Sequence, residues 1–110
     1  MTMFEKKERA EEGKYVLDAE QEFRVAARRN KLLGLWVAET MGIKGADASG
    51  YALEVVRSDM EEPGDEDVFR KVKQDFIKAG IDVSDEEIRE RMAVFLTEAR
   101  KQILAEDKEK

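Results

Sequence analysis

From Phe23 onward, apolar residues return at the spacing of a single helix face: Phe23, Ala26, Ala27, Leu33 and Val37. Tyr15 and Ala19 upstream and Met41 downstream lengthen the stripe. It predicts one long helix over Tyr15–Met41, packed on one side. Leu32, Leu35 and Trp36 widen the stripe in its second half, so that half expects cover from two sides, with Trp36 in the core. Gly34 falls in mid-helix, where it costs stability; close approach by a neighbouring helix is the reason to expect it there. Gly42 supplies the left-handed residue on which helices end. Asn30 lies on the apolar side, where a buried amide needs partners and so fixes how neighbours dock. Arg24, Arg28, Arg29 and Lys31 form a basic edge opposite, read as a solvated face.

Three shorter patterns follow. Asp47 is the expected N-cap of a helix to about Met60, burying Tyr51, Ala52, Val55, Val56 and Met60. Glu61-Glu62-Pro63-Gly64 is a turn, and Asp65, Glu66 and Asp67 place negative charge where a third helix dipole favours it. That helix buries Val68, Phe69, Val72, Phe76 and Ile77 and stops at Gly80. Ser84-Asp85-Glu86-Glu87 is a capping box before a fourth helix that presents Ile88, Met92, Phe95, Leu96, Ala99, Ile103 and Leu104. Residues from Glu106 to Lys110 are expected to fray. No strand pattern competes. The expected fold is all-α: an antiparallel four-helix bundle over residues 15–110 with a long first helix.

Residues 1–14 form a separate arm. Acids and bases alternate from Thr2 to Lys14, Met3 and Phe4 are the only sizeable apolar residues, and Gly13 weakens any helix there. So short a charged segment is marginal as a free helix, and the arm is expected to be mobile and partly disordered. A frayed terminus without a role is the plain alternative.

Composition narrows the chemistry. The 110 residues suffice for one domain, and a net charge of -6 argues against nucleic acid as the main ligand. Cysteine and histidine are both absent, which excludes disulfides, thiolate nucleophiles, serine–histidine triads and imidazole metal sites. No apolar run approaches a membrane span and no secretory signal opens the chain, so a cytoplasmic location is expected. Asp59 to Arg70 places acids on several calcium-loop positions, but Arg70 stands where the bidentate glutamate belongs and Pro63 occupies a ligand position. No catalytic residue, metal or cofactor is expected.

The residues Phe4, Arg9-Ala10, Tyr15, Asp18, Phe23-Arg24 and the run from Ala27 to Trp36, Ala-Arg-Arg-Asn-Lys-Leu-Leu-Gly-Leu-Trp, resemble the zeta subunit family. These are natural inhibitors of the alphaproteobacterial F-type ATP synthase, and the likeness runs through the whole chain. The resemblance implies a four-helix bundle whose N-terminal arm folds as it enters a catalytic interface of the ATPase head, among its alpha, beta and gamma subunits, and blocks hydrolysis. The arm residues that would carry this are Met3, Phe4, Lys7, Glu8, Arg9, Ala10, Lys14 and Tyr15. It also implies a chain peripheral to the inner membrane when bound; no heptad seam demands self-association, so the free chain is expected to be a monomer. Two other readings stand beside it: a small sensor that binds ATP or ADP at Arg24, Arg28 and Arg29, and an adaptor without inhibitory activity.

Overall fold

A computed structural model describes residues 17–61 and 65–108. It contains α1 (Ala19–Thr40), α2 (Ala46–Glu61), α3 (Glu66–Ala79) and α4 (Asp85–Lys108), with no strand among the described residues. Cross-links between the helices give their directions. Gln21 and Arg28 of α1 reach Asp107 and Gln102 of α4, Asn30 of α1 reaches Asp59 of α2, Glu54 of α2 meets Lys71 of α3, and Glu66 of α3 meets Arg89 of α4. Every such neighbour runs antiparallel, so the all-α four-helix bundle expected from the periodicity is the one observed. The first helix is long, at 22 residues, and α4 matches it with 24.

Local chemistry sets the helix ends, in places differently from the periodicity. The long stripe put the start of the first helix at Tyr15, but α1 begins at Ala19 with Asp18 as its N-cap. The Asp18 carboxylate accepts from the Gln21 amide at 2.8 Å, and the Gln21 side-chain oxygen accepts from the Asp18 amide at 3.2 Å. That reciprocal box satisfies two amides that a helix start otherwise leaves bare, worth about 1 kcal/mol. At α2, the Gly45 carbonyl accepts from the amides of Ala48 and Ser49, so the helix starts before Asp47. Asp47 therefore sits in the first turn instead of capping it, still well placed against the dipole. Ser84 caps α4 as expected, accepting from the Glu87 amide at 3.0 Å. Gly42 and Gly80 take φ of 81° and 74°, where a side chain would be strained, and close α1 and α3.

The buried residues form two clusters. The larger draws on all four helices: Leu33, Val37 and Ala38 from α1, Tyr51 and Val55 from α2, Val68, Val72 and Phe76 from α3, and Ile88 and Met92 from α4. Trp36 is partly buried against it, its ring edge-on to Phe76 with centroids 5.7 Å apart at 77°. Gly34 explains itself here, because a Cβ on it would lie 2.6 Å from the Ala52 Cα. The smaller cluster, Val25, Ala99 and Ile103, belongs to α1 and α4 alone, with Leu17, Leu32 and Leu96 packed around it. Val25 was not in the expected stripe, whereas Phe23 was and is 60% exposed. Ile77 likewise faces out, at 64%. For Phe23 the cause is the shorter α2, 16 residues against 22 in α1, which ends before it can cover that side chain.

Candidate functional site

The basic edge of α1 does not stay together in the fold. Arg24 and Arg28 turn toward the last turns of α4. Arg24 donates to Asp107 at 3.0 and 3.2 Å and to Glu106 at 3.2 Å. Arg28 pairs with Glu106 at 2.7 Å and donates to the Gln102 side chain at 2.6 Å. Gln21 adds a bond to Asp107 at 2.8 Å. Glu106 and Asp107 sit at a helix C-terminus, where the dipole disfavours negative charge, and the two guanidinium groups offset that repulsion. The bond from Arg28 holds the Glu106 carboxyl below the usual carboxylate range. This clasp explains why α4 stays helical through Lys108, beyond the point where fraying was expected.

Arg29 goes elsewhere. It is buried, not solvated, and its Nε donates to Asn30 Oδ1 at 2.6 Å while a terminal nitrogen donates to Asp65 at 2.9 Å. Asn30, with no exposed surface, donates in turn to Asp59 at 3.0 Å. The expected partners of the buried amide are thus Arg29 and Asp59, and Arg29 carries the link on to Asp65 across the α2–α3 turn. Asp65 occupies the N-cap position of α3 without making a side-chain cap bond, because its carboxylate is turned to Arg29. The two acids, Asp59 and Asp65, stand on the first and seventh positions of the candidate calcium loop. Their engagement by Asn30 and Arg29 gives them a structural role, and among the described residues no group of three acids is arranged to hold a metal.

Between α2 and α3, the Tyr51 hydroxyl donates to Asp75 at 2.7 Å, and Lys71 bridges Asp75 at 2.9 Å and Glu54 at 3.2 Å. Burial, reinforced by the bond to Asp75, pushes the Tyr51 hydroxyl well above its ordinary pKa. Burial works against the charged form of Lys71, but its bonds to Asp75 and Glu54 outweigh that and raise its pKa. An open groove of about 700 Å³ runs alongside, where Arg57, Arg70 and Lys71 face Glu54 and Asp67. Its charges are of both signs, and the Arg70–Asp67 and Lys71–Glu54 pairs neutralise each other.

Of the residues singled out in the sequence, Met3, Phe4, Lys7, Glu8, Arg9, Ala10, Lys14 and Tyr15 lie outside the described residues. Arg24, Arg28 and Arg29 are described, and they do not converge on one anion site: two face the end of α4 and the third faces Asp65. The sequence reading passed over Phe23 as a surface residue. The signal was present in the helix lengths, about 33 Å for α1 against about 24 Å for α2, which leaves part of α1 uncovered. No described helix is long and apolar enough to cross a membrane.

The fold and its polar groups define a small antiparallel helical bundle whose charged side chains pair with one another across its helices. Among solved structures, one determined by solution NMR is similar, with a TM-score of 0.69 and 44% identity over 77% of this chain and 96% of that one. Comparison with curated protein sequences gives no match. The family described as ATPase inhibitor subunit zeta matches residues 1–102. The chain belongs to that family, an inhibitor subunit of an ATP synthase, as the run from Ala27 to Trp36 led one to expect.

Proposed function

We propose that this chain suppresses ATP hydrolysis by an F-type ATP synthase, with residues 15–110 docked on the outside of the ATPase head and residues 1–14 inserted into a catalytic interface. The observation that carries this reading is the extent of the family match, which begins at residue 1 and so takes in the arm together with the bundle. The bundle supports it with a first helix that carries its own cap at Asp18, so α1 has a defined start beyond the arm.

In this mechanism Met3 and Phe4 supply the apolar anchor, and Ala10 lets the arm pass close to a wall of the cleft. Lys7, Glu8, Arg9 and Lys14 pair with charged groups of the alpha, beta and gamma subunits, and Tyr15 marks the mouth. A helix of 14 residues is about 21 Å long, enough to reach from a surface into a cleft. Ordering it on binding makes the inhibition reversible. The bound protein sits at the membrane through the synthase, not through a span of its own. The test is a hydrolysis assay on the cognate ATPase with full-length protein and with residues 1–14 deleted. Full-length protein lowers the rate, and the deletion raises the half-inhibitory concentration at least ~30-fold, about 2 kcal/mol. Equal inhibition by the two forms overturns the arm mechanism.

A further inference from the structure

The apolar stripe of α1 is covered by α2 only up to the level of Asn30, where Asp59 meets it near the end of α2. Upstream of that point the described residues cover the same side of the helix only in part. Ala19 is exposed, Phe23 is 60% exposed, and Ala27 is partly covered. Of the large apolar side chains that stand exposed among the described residues, Phe23 is the only aromatic one. Beside it is a recess of about 280 Å³ lined in part by Ala27, Val56 and Ile103 and edged by Lys31. Lys31 is exposed and makes no ion pair among the described residues.

The shape of the recess argues against a small-molecule occupant. Small-molecule pockets enclose most of their ligand, while this recess is open. It suits a side chain projecting from another protein surface. A second copy of the chain fits poorly, because a two-fold contact sets the same patch against itself and offers Lys31 no carboxylate from the equivalent patch. The chain's own first 16 residues fit poorly too. Between Thr2 and Lys14 four acids balance four bases, so the segment has no net charge to offer a cationic rim. Position favours a third occupant. Phe23 lies five residues beyond Asp18, about 7.5 Å along the axis, and Tyr15, Ala19 and Phe23 follow at intervals of four. Whatever surface receives the arm meets this face next.

We infer that the side of α1 formed by Ala19, Phe23 and Ala27, with Lys31 at its end, is a second contact for the ATPase head, taking an apolar side chain flanked by a carboxylate from the surface just outside the interface that receives the arm. This rests on the inhibitor reading above and adds to it: the bundle grips the target and does not only carry the arm. Phe23 is the aromatic anchor and Lys31 the rim charge.

The test uses full-length protein carrying Phe23→Ala or Lys31→Glu in the same hydrolysis assay, with thermal melting as a control for the fold. Phe23→Ala raises the half-inhibitory concentration ~10-fold with an unchanged melting temperature. Lys31→Glu raises it ~3-fold, and that effect shrinks as salt is added. Wild-type potency in both variants overturns the second contact while leaving the arm mechanism in place. If the wild-type chain itself fails to inhibit, the inhibitor reading falls and this inference falls with it. Sedimentation that shows a dimer lost in Phe23→Ala reassigns the face to self-association. Amide shifts in residues 1–16 on the same substitution, in the free protein, reassign it to the chain's own arm. Either result overturns the proposal.

Discussion

The two ends of the bundle are built on different principles. At one end four helices meet around Leu33, Val37, Val55, Val72, Phe76 and Ile88, all buried to 1% exposure or less. At the other, among the described residues, α1 and α4 continue without α2 and α3, and Val25, Ala99 and Ile103 are buried between them. What the second end lacks in apolar cover it replaces with charge, through Arg24, Arg28, Glu106 and Asp107. Exposed ion pairs contribute little to global stability, whereas each buried side chain contributes on the order of 1.5–3 kcal/mol. The four-helix end therefore holds the fold, and the two-helix end, which adjoins the arm, is free to open and to meet a partner.

The sharpest way to probe this contrast is to remove bulk from each core. Phe76→Ala, in the four-helix end, lowers unfolding stability by about 3–5 kcal/mol, measured by urea denaturation. Ile103→Ala costs about 2 kcal/mol, because two helices alone can close partly over the gap. Equal losses from the two would show a single cooperative core and break the comparison. Next in size is Asn30→Ala, which strips a bonding partner from buried Arg29 and from Asp59, and costs about 1–3 kcal/mol by the same measurement.

Smaller still is Arg28→Ala. It leaves the thermal midpoint nearly unchanged but speeds amide exchange over residues 99–107, with the amides of α3 unaffected. Acid gives the same answer without mutation. The Glu106 carboxyl is held below its ordinary value of 4.5, chiefly by the bond from Arg28. A depressed carboxylate lends stability above its unfolded pKa, and that stability is lost as pH falls through the folded value. Acidification below about pH 4.5 therefore loosens the two-helix end first, read as faster exchange at the end of α4. In Arg28→Ala this pH dependence shrinks.

The four-helix end was the more legible in sequence, for a physical reason. Val55, Val72, Phe76, Ile88 and Met92 follow helical spacing because neighbours surround them, so periodicity alone finds them. Gly34 and Ser84 carried their geometry in their chemistry, a missing Cβ and a cap hydroxyl. At the two-helix end periodicity misleads. Phe23 keeps step with the stripe, yet α2 has ended before reaching it, while Val25 is buried only because α4 is long enough to arrive there. Arg29 looked like its neighbours Arg24 and Arg28, and only the position of Asp65, 36 residues away, takes it inside. The start of α1 is written in the sequence as well. Asp18 and Gln21 have the spacing of a capping box, but the regular Tyr15–Ala19–Phe23 interval pointed further upstream.

That box has an implication for how such a chain can vary. Since Asp18 and Gln21 each bond the backbone of the other, α1 seals its own first turn. A sequence that keeps this pair keeps the start of the helix in place, whatever residue stands at its neighbours.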